Sequence, residues 1–195
     1  MPGSMHDADS GDLLLVAAND PLALERLLGR WRDLLYAFFE RAHEPSGAID
    51  LTAETFVRLR ASAGRFDPSV AFPVWLWRIA VRVLSEAPPP PVTSVPAARL
   101  RESAAARTAL VRASVAGLPP SAAAALLLTR IARLTVAETA QVLDAPPSDV
   151  RRLLVDAMDR LAGALEPLLE LPVSPPPVPP PPPPPLPADG TGSRA

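Results

Sequence analysis

All 19 basic residues of this 195-residue chain are arginine, and cysteine is absent. Without lysine there is no phosphate-loop lysine, and no glycine-rich phosphate loop appears. Without cysteine, disulfides, thiolate metal sites and cysteine nucleophiles are excluded. His6 and His43 lie far apart, and neither has a partner at metal-ligand spacing. His43 reads as an exposed helix-end residue. Asp7, Asp9 and Asp12 read as solvating charges and not as an acid–base pair. The sequence therefore predicts no catalytic constellation, cofactor or metal site, and the chemistry left to it is recognition. The net charge of −2 supplies no global basic field, so any nucleic-acid contact must come from local arginine patches. Arg78 and Arg82, four apart, share one side of a helix, and Arg151, Arg152 and Arg160 form a second group.

The elements that position these residues are helical. Hydrophobic residues make up 48% of the chain and aromatics only 5%, with Ala and Leu dominant between prolines, which favours helices over strands. Asp20-Pro21 reads as an N-cap followed by a first helical position. From there Leu24, Leu27, Leu28, Trp31, Leu34, Leu35, Phe38 and Phe39 recur at three and four, the core face of a long helix. Leu51, Thr55 and Leu59, with Phe56 beside them, form the apolar stripe of the next helix. A breaker follows at Gly64-Arg65-Phe66-Asp67-Pro68. Phe72, Trp75, Leu76, Ile79, Ala80 and Val83 form the buried face of another helix, which the prolines from Pro88 end. Further on, Arg99 to Val115 reads as helix, and Ser121 as the N-cap of a helix to about Arg133. Thr135-x-x-Glu138 is a capping box opening a short helix to Leu143. Asp144-Ala145-Pro146-Pro147 is a turn, and Ser148 is placed to cap a last helix from Asp149 to about Leu165. A short helix, tight turn and longer helix is the helix-turn-helix pattern.

Three spaced blocks resemble conserved region two of extracytoplasmic-function RNA polymerase sigma factors. They are Asp50-Leu51-x-x-Glu54-Thr55-Phe56-x-x-Leu59, Arg65-Phe66-Asp67-Pro68 and Phe72-x-x-Trp75-Leu76-x-x-Ile79-Ala80. The second half is similar to region four of the same family. There Leu118-Pro119-Pro120 leads into an Ala/Leu helix, then Leu134-Thr135-x-x-Glu138-x-Ala140-x-x-Leu143, then Val150-Arg151 and a closing Arg160-Leu161. The resemblance implies an all-α fold of two helical domains and a binding function, directing promoter-specific transcription initiation. The implied partners are core RNA polymerase, promoter DNA and an anti-sigma factor. Polymerase contact would fall to Asp50, Glu54, Thr55 and Arg58. DNA contact would fall to Arg65, Arg78 and Arg82 at the minus-ten strand, and to Ser148, Arg151, Arg152 and Arg160 at the minus-thirty-five element.

The chain also departs from that pattern. Val81-Arg82-Val83-Leu84-Ser85-Glu86 stands where the family carries Asn, Asp and several basic residues. Asp144 replaces the turn glycine, and Leu153, Asp156 and Met158 occupy commonly basic positions. Each lost cation removes a phosphate contact and each Asp adds repulsion. A second function class therefore stands beside the first: a sigma-like interaction module that binds polymerase or an anti-sigma factor without reading promoters.

The expected organisation is a disordered N-terminus at 1–11, a region-two-like domain at 12–87, a proline-rich linker at 88–98, a region-four-like domain at 99–170 and a disordered proline-rich tail at 171–195. Extended at about 3.1 Å per residue, the linker would reach roughly 34 Å. Each half has its own apolar periodicity, so each is expected to fold separately. The tail reads as a spacer, or as a docking segment for an aromatic-lined groove. No signal-peptide pattern and no membrane-spanning apolar run is present, so a cytoplasmic protein without membrane insertion is expected.

Overall fold

Asp20 caps the long helix as its position before Pro21 predicts, its side chain accepting the Leu22 N–H at 2.9 Å. The computed structural model describes residues 3–88, 99–100 and 103–169; the expected tail and all but Pro88 of the linker lie outside them. Among the described residues every regular element is helical. The first half holds α1 (Gly3–Ala17), α2 (Pro21–Glu40), α3 (Pro45–Ser62), a 3-10 turn (Ala63–Arg65) and α4 (Phe72–Glu86). The second holds α5 (Ala104–Ala116), α6 (Pro120–Arg130), α7 (Val136–Leu143) and α8 (Pro147–Leu169).

The first core is aromatic. Trp31 and Phe38 of α2 meet Phe72 and Trp77 of α4, with ring centroids 5.0 Å apart for Phe38–Trp77 and 5.7 Å for Trp31–Phe72, and Phe39 lies edge-on to Phe38 at 5.2 Å. Offset and edge-on ring pairs of this kind add to the area they bury. In α3, Thr52 and Thr55 are buried, and each hydroxyl donates to the carbonyl four residues back, at 2.7 and 2.8 Å. That bond is what makes a buried hydroxyl affordable at the helix seam.

The expected N-terminal disorder is corrected: α1 begins at Gly3 and packs along α2. Asp9 and Asp12 are not solvating charges but buried acceptors. Arg30 binds Asp9 at 2.6 Å and Asp12 at 2.5 Å, and Arg26 binds Asp12 at 2.6 Å. Arg26, and with it Arg30, holds the Asp12 carboxyl below the usual carboxylate range despite the opposing cost of desolvation.

Three helix starts also differ from expectation. The helix expected from Arg99 to Val115 is observed as α5 from Ala104, with Ser103 as its cap, the hydroxyl accepting the Ala106 N–H at 3.3 Å. Pro119 precedes α6, so Ser121 lies inside that helix. α8 starts at Pro147, which puts Ser148 in its first turn rather than at its cap. In both proline cases the fixed φ of the ring starts the helix earlier than a hydroxyl cap would.

The two halves pack on each other through α4, which lies against α6 and α7. Arg78 donates to the Gln141 carbonyl at 2.8 and 3.2 Å, and Arg112 donates to the Glu40 carbonyl at 3.1 Å. A guanidinium at the C-terminal turn of α7 meets carbonyls that have no intrahelical partner. Proline content in the connecting segment gave no sign of this contact.

Candidate binding surfaces

α3 presents a mixed stripe away from the core. Ile49 and Val57 keep 59% and 62% of their surface, and Ala53 between them is also exposed. These three stand at i, i+4 and i+8, so they form one apolar ridge. Exposed Asp50 and half-buried Glu54 flank it. Beside it a groove of about 360 Å³ runs between α2 and α3, lined by Leu28, Tyr36, Thr52 and Phe56. Arg58 is held within the molecule, binding Glu54 at 2.6 Å and Glu86 of α4 at 2.5 Å. Both carboxylates raise its affinity for its proton, Glu54 the more. Of the four residues read as polymerase contacts, Asp50 and Glu54 line this face, and Arg58 reaches its edge while bracing α4. Thr55 is fully buried and is removed from the contact set, because its i+4 relation to Leu51 and Leu59 points it into the core.

The turn between α3 and α4 is fixed from both sides. Phe66 is buried against Trp75, with centroids 5.3 Å apart, and the Asp67 carboxylate accepts the Ser69 N–H at 2.9 Å. Hydrogen bonds from Ser69 lower the Asp67 pKa. This turn leaves Arg65 exposed. Arg82 is exposed too and loosely paired with Glu86 at 3.4 Å. Arg78, read as a DNA-facing cation, is instead committed to the Gln141 carbonyl.

The helix-turn-helix is well formed. Thr135 and Glu138 make both bonds of the capping box, Glu138 N–H to Thr135 Oγ1 at 3.2 Å and Thr135 N–H to Glu138 Oε2 at 2.8 Å. At the other end of α7, Asp144 takes the left-handed conformation, φ 50° and ψ 48°, in the place of a turn glycine. Ala145 N–H then returns to the Ala140 carbonyl at 3.0 Å, closing the helix. Ala125, Ala140 and Val150 form the small core that sets α8 across α7. On α8, Ser148, Arg151, Arg152 and Arg160 are all exposed, and Arg152 bonds Asp149 at 3.2 Å. Asp156 and Asp159 are exposed as well.

The sequence reading missed one feature. An apolar cavity of about 500 Å³ lies between the halves, lined by Ala42, His43, Leu84, Val115, Leu118 and Leu143 among others. His43 is buried at its edge, and burial lowers its pKa, so it is not the exposed helix-end residue expected. Its neighbours come from five separate segments, which no local periodicity announces. Among the described residues no group of three His, Cys, Asp or Glu is placed to hold a metal ion, and no helix is long and apolar enough to cross a membrane.

Comparison with known proteins bears on both halves. The family model described as sigma-70, region 4 matches residues 108–161, from within α5 to within α8. No curated protein sequence matches the chain. Among solved structures the chain is similar to CnrH, determined in complex with the cytosolic domain of CnrY. That likeness has a TM-score of 0.65 at 23% identity and covers 82% of this chain and 97% of that one. The likeness gives the fold of both halves at once. Residues 108–161 thus match sigma-70, region 4, and the chain as a whole shares the fold of CnrH.

Proposed function

We propose that the protein is a cytoplasmic sigma factor that binds core RNA polymerase through α3 and directs transcription initiation from specific promoters. The observation that carries the reading is the Ile49–Ala53–Val57 ridge with Asp50 and Glu54 at its side. Large aliphatic side chains repeated at one helical spacing on a surface otherwise charged are what a partner helix needs to seat against. In this reading Arg65 and Arg82 face the melted minus-ten strand, and α8 places Arg151 and Arg152 in the major groove, with Arg160 and Ser148 on phosphates. An anti-sigma factor is a further partner, in keeping with the complex in which CnrH was determined.

The test is direct binding of the purified full chain to core polymerase. Val57→Asp and Asp50→Arg change exposed residues, so helical content measured by circular dichroism should stay unchanged while polymerase affinity falls by about tenfold or more. Unchanged affinity with unchanged helicity would contradict the assignment of α3.

A second reading is favoured by a different observation. Asp156 and Asp159 are exposed on the helix that would read DNA, and Arg78 is already bonded within the molecule. In that reading the protein binds polymerase or an anti-sigma factor and does not read promoters. Loss of all promoter preference by holoenzyme that still assembles would select it.

A further inference from the structure

α8 carries an exposed stripe along one side. Ser148, Arg152, Val155, Asp159, Ala162 and Glu166 follow one another at intervals of four and three, and all six are exposed. That spacing keeps residues on one side of a helix and is the spacing of a helix-pairing seam. Its centre is apolar: Val155 keeps 59% of its surface and Met158 beside it 47%. Its charges are sorted by sign, with Arg151 and Arg152 toward the N-terminus and Asp159 and Glu166 toward the C-terminus.

A phosphate groove favours cations along the whole face, and a partner of one charge favours a face of one charge. A stripe basic at one end, apolar in the middle and acidic at the other complements its own reverse. We propose that α8 pairs antiparallel with the α8 of a second copy of this chain, about a two-fold axis near Val155. In that arrangement Arg152 of each copy meets Asp159 of the other, and the two Val155 side chains close together on the axis. Arg152 gives up only its exposed contact with Asp149 to do so. A single helix seam falls below the roughly 1,200 Å² of a standard stable interface, so the dimer is weak, concentration-dependent and loosened by salt. The pairing covers Arg151 and Arg152, and so withholds the DNA-reading face. That consequence alone rests on the promoter-reading function proposed above.

Sedimentation equilibrium of the full chain across a concentration series tests the pairing. A monomer–dimer equilibrium is expected, weakened about tenfold or more by Arg152→Asp or by Asp159→Arg, since each puts like charges opposite each other twice. An equimolar mixture of the two variants should recover dimer, because both facing pairs are again of opposite sign. The double variant R152D/D159R should recover it as well. Both positions are exposed surface, and circular dichroism checks that each variant is folded. Monomer at every concentration, dimer indifferent to both substitutions, or failure of the mixture to recover would each overturn the proposal. Neither polymerase nor DNA enters the readout, so its failure is separate from failure of the functional reading.

Discussion

Asp9 and Asp12 show most clearly how a residue's role is set by what another helix brings to it. Both lie in a polar N-terminal stretch that read as solvated, yet both are buried against Arg26 and Arg30. The pattern did carry a signal: carboxylates three apart and arginines four apart each mark one helix face, and two such faces fit together. The register between them is a tertiary fact that local spacing does not give. Asp12→Ala should cost on the order of 1–3 kcal/mol in urea unfolding, since it leaves Arg26 without its carboxylate and Arg30 with Asp9 alone. No change in the unfolding midpoint would show the network to be idle. The pH dependence follows from the same residues. Asp12 titrates below its ordinary range when folded, so its contribution is fully present above about pH 4 and is lost as pH falls through the lowered value. His43 acts in a higher window. Burial lowers its folded pKa, so below about pH 6.5 the unfolded chain takes up a proton that the folded chain refuses, and stability falls. His43→Leu should flatten the stability profile between about pH 5 and 7 and leave the acid limb in place. A slope retained there would assign it to another group.

At the scale of elements, local rules were read correctly where a cap or a period decides the outcome. Asp20 caps α2, Thr135 and Glu138 open α7, and the three-four repeat of α2 is its buried face. They were misread where proline competes with a hydroxyl. Ser121 and Ser148 lie one residue inside helices already begun by Pro120 and Pro147, because a fixed φ needs no side-chain bond to start the turn. Thr55 holds a contact residue's place in the motif, while its spacing from Leu51 and Leu59 assigns it to the core, where it is fully buried. Asp144 gives an element-scale prediction. It holds a left-handed conformation that costs a residue with a side chain more than it costs glycine. Asp144→Gly should therefore raise stability by about 0.5–1 kcal/mol, while Thr135→Ala should lower it by about 1 kcal/mol through loss of the cap. Opposite signs from the two ends of one eight-residue helix are read from paired denaturant melts. A loss at Asp144→Gly would mean that the carboxylate contributes more than the strain it carries.

For the whole molecule, sequence order and composition separated two helical halves, but not the way they meet. The contact between α4 and α7 pairs residues 63 positions apart, Arg78 with the Gln141 carbonyl, and neither helix advertises it. It ties the segment read as facing the minus-ten strand to the first helix of the helix-turn-helix. Arg78→Ala should weaken the association of the halves and increase protease cleavage between them, with helicity unchanged. Cleavage at the parent rate would mean that the apolar contact of α4 with α6 and α7 suffices by itself. The central claim is that this fold serves promoter-directed initiation, and it is tested most directly by reconstituting holoenzyme from core polymerase and the full chain and mapping transcript starts on a genomic DNA library. The account predicts starts at a defined set of sites sharing upstream sequence. It also predicts that holoenzyme carrying Arg151→Ala with Arg152→Ala still assembles but loses that preference. A chain that does not bind core polymerase, or a holoenzyme whose starts match those of core polymerase alone, would contradict it.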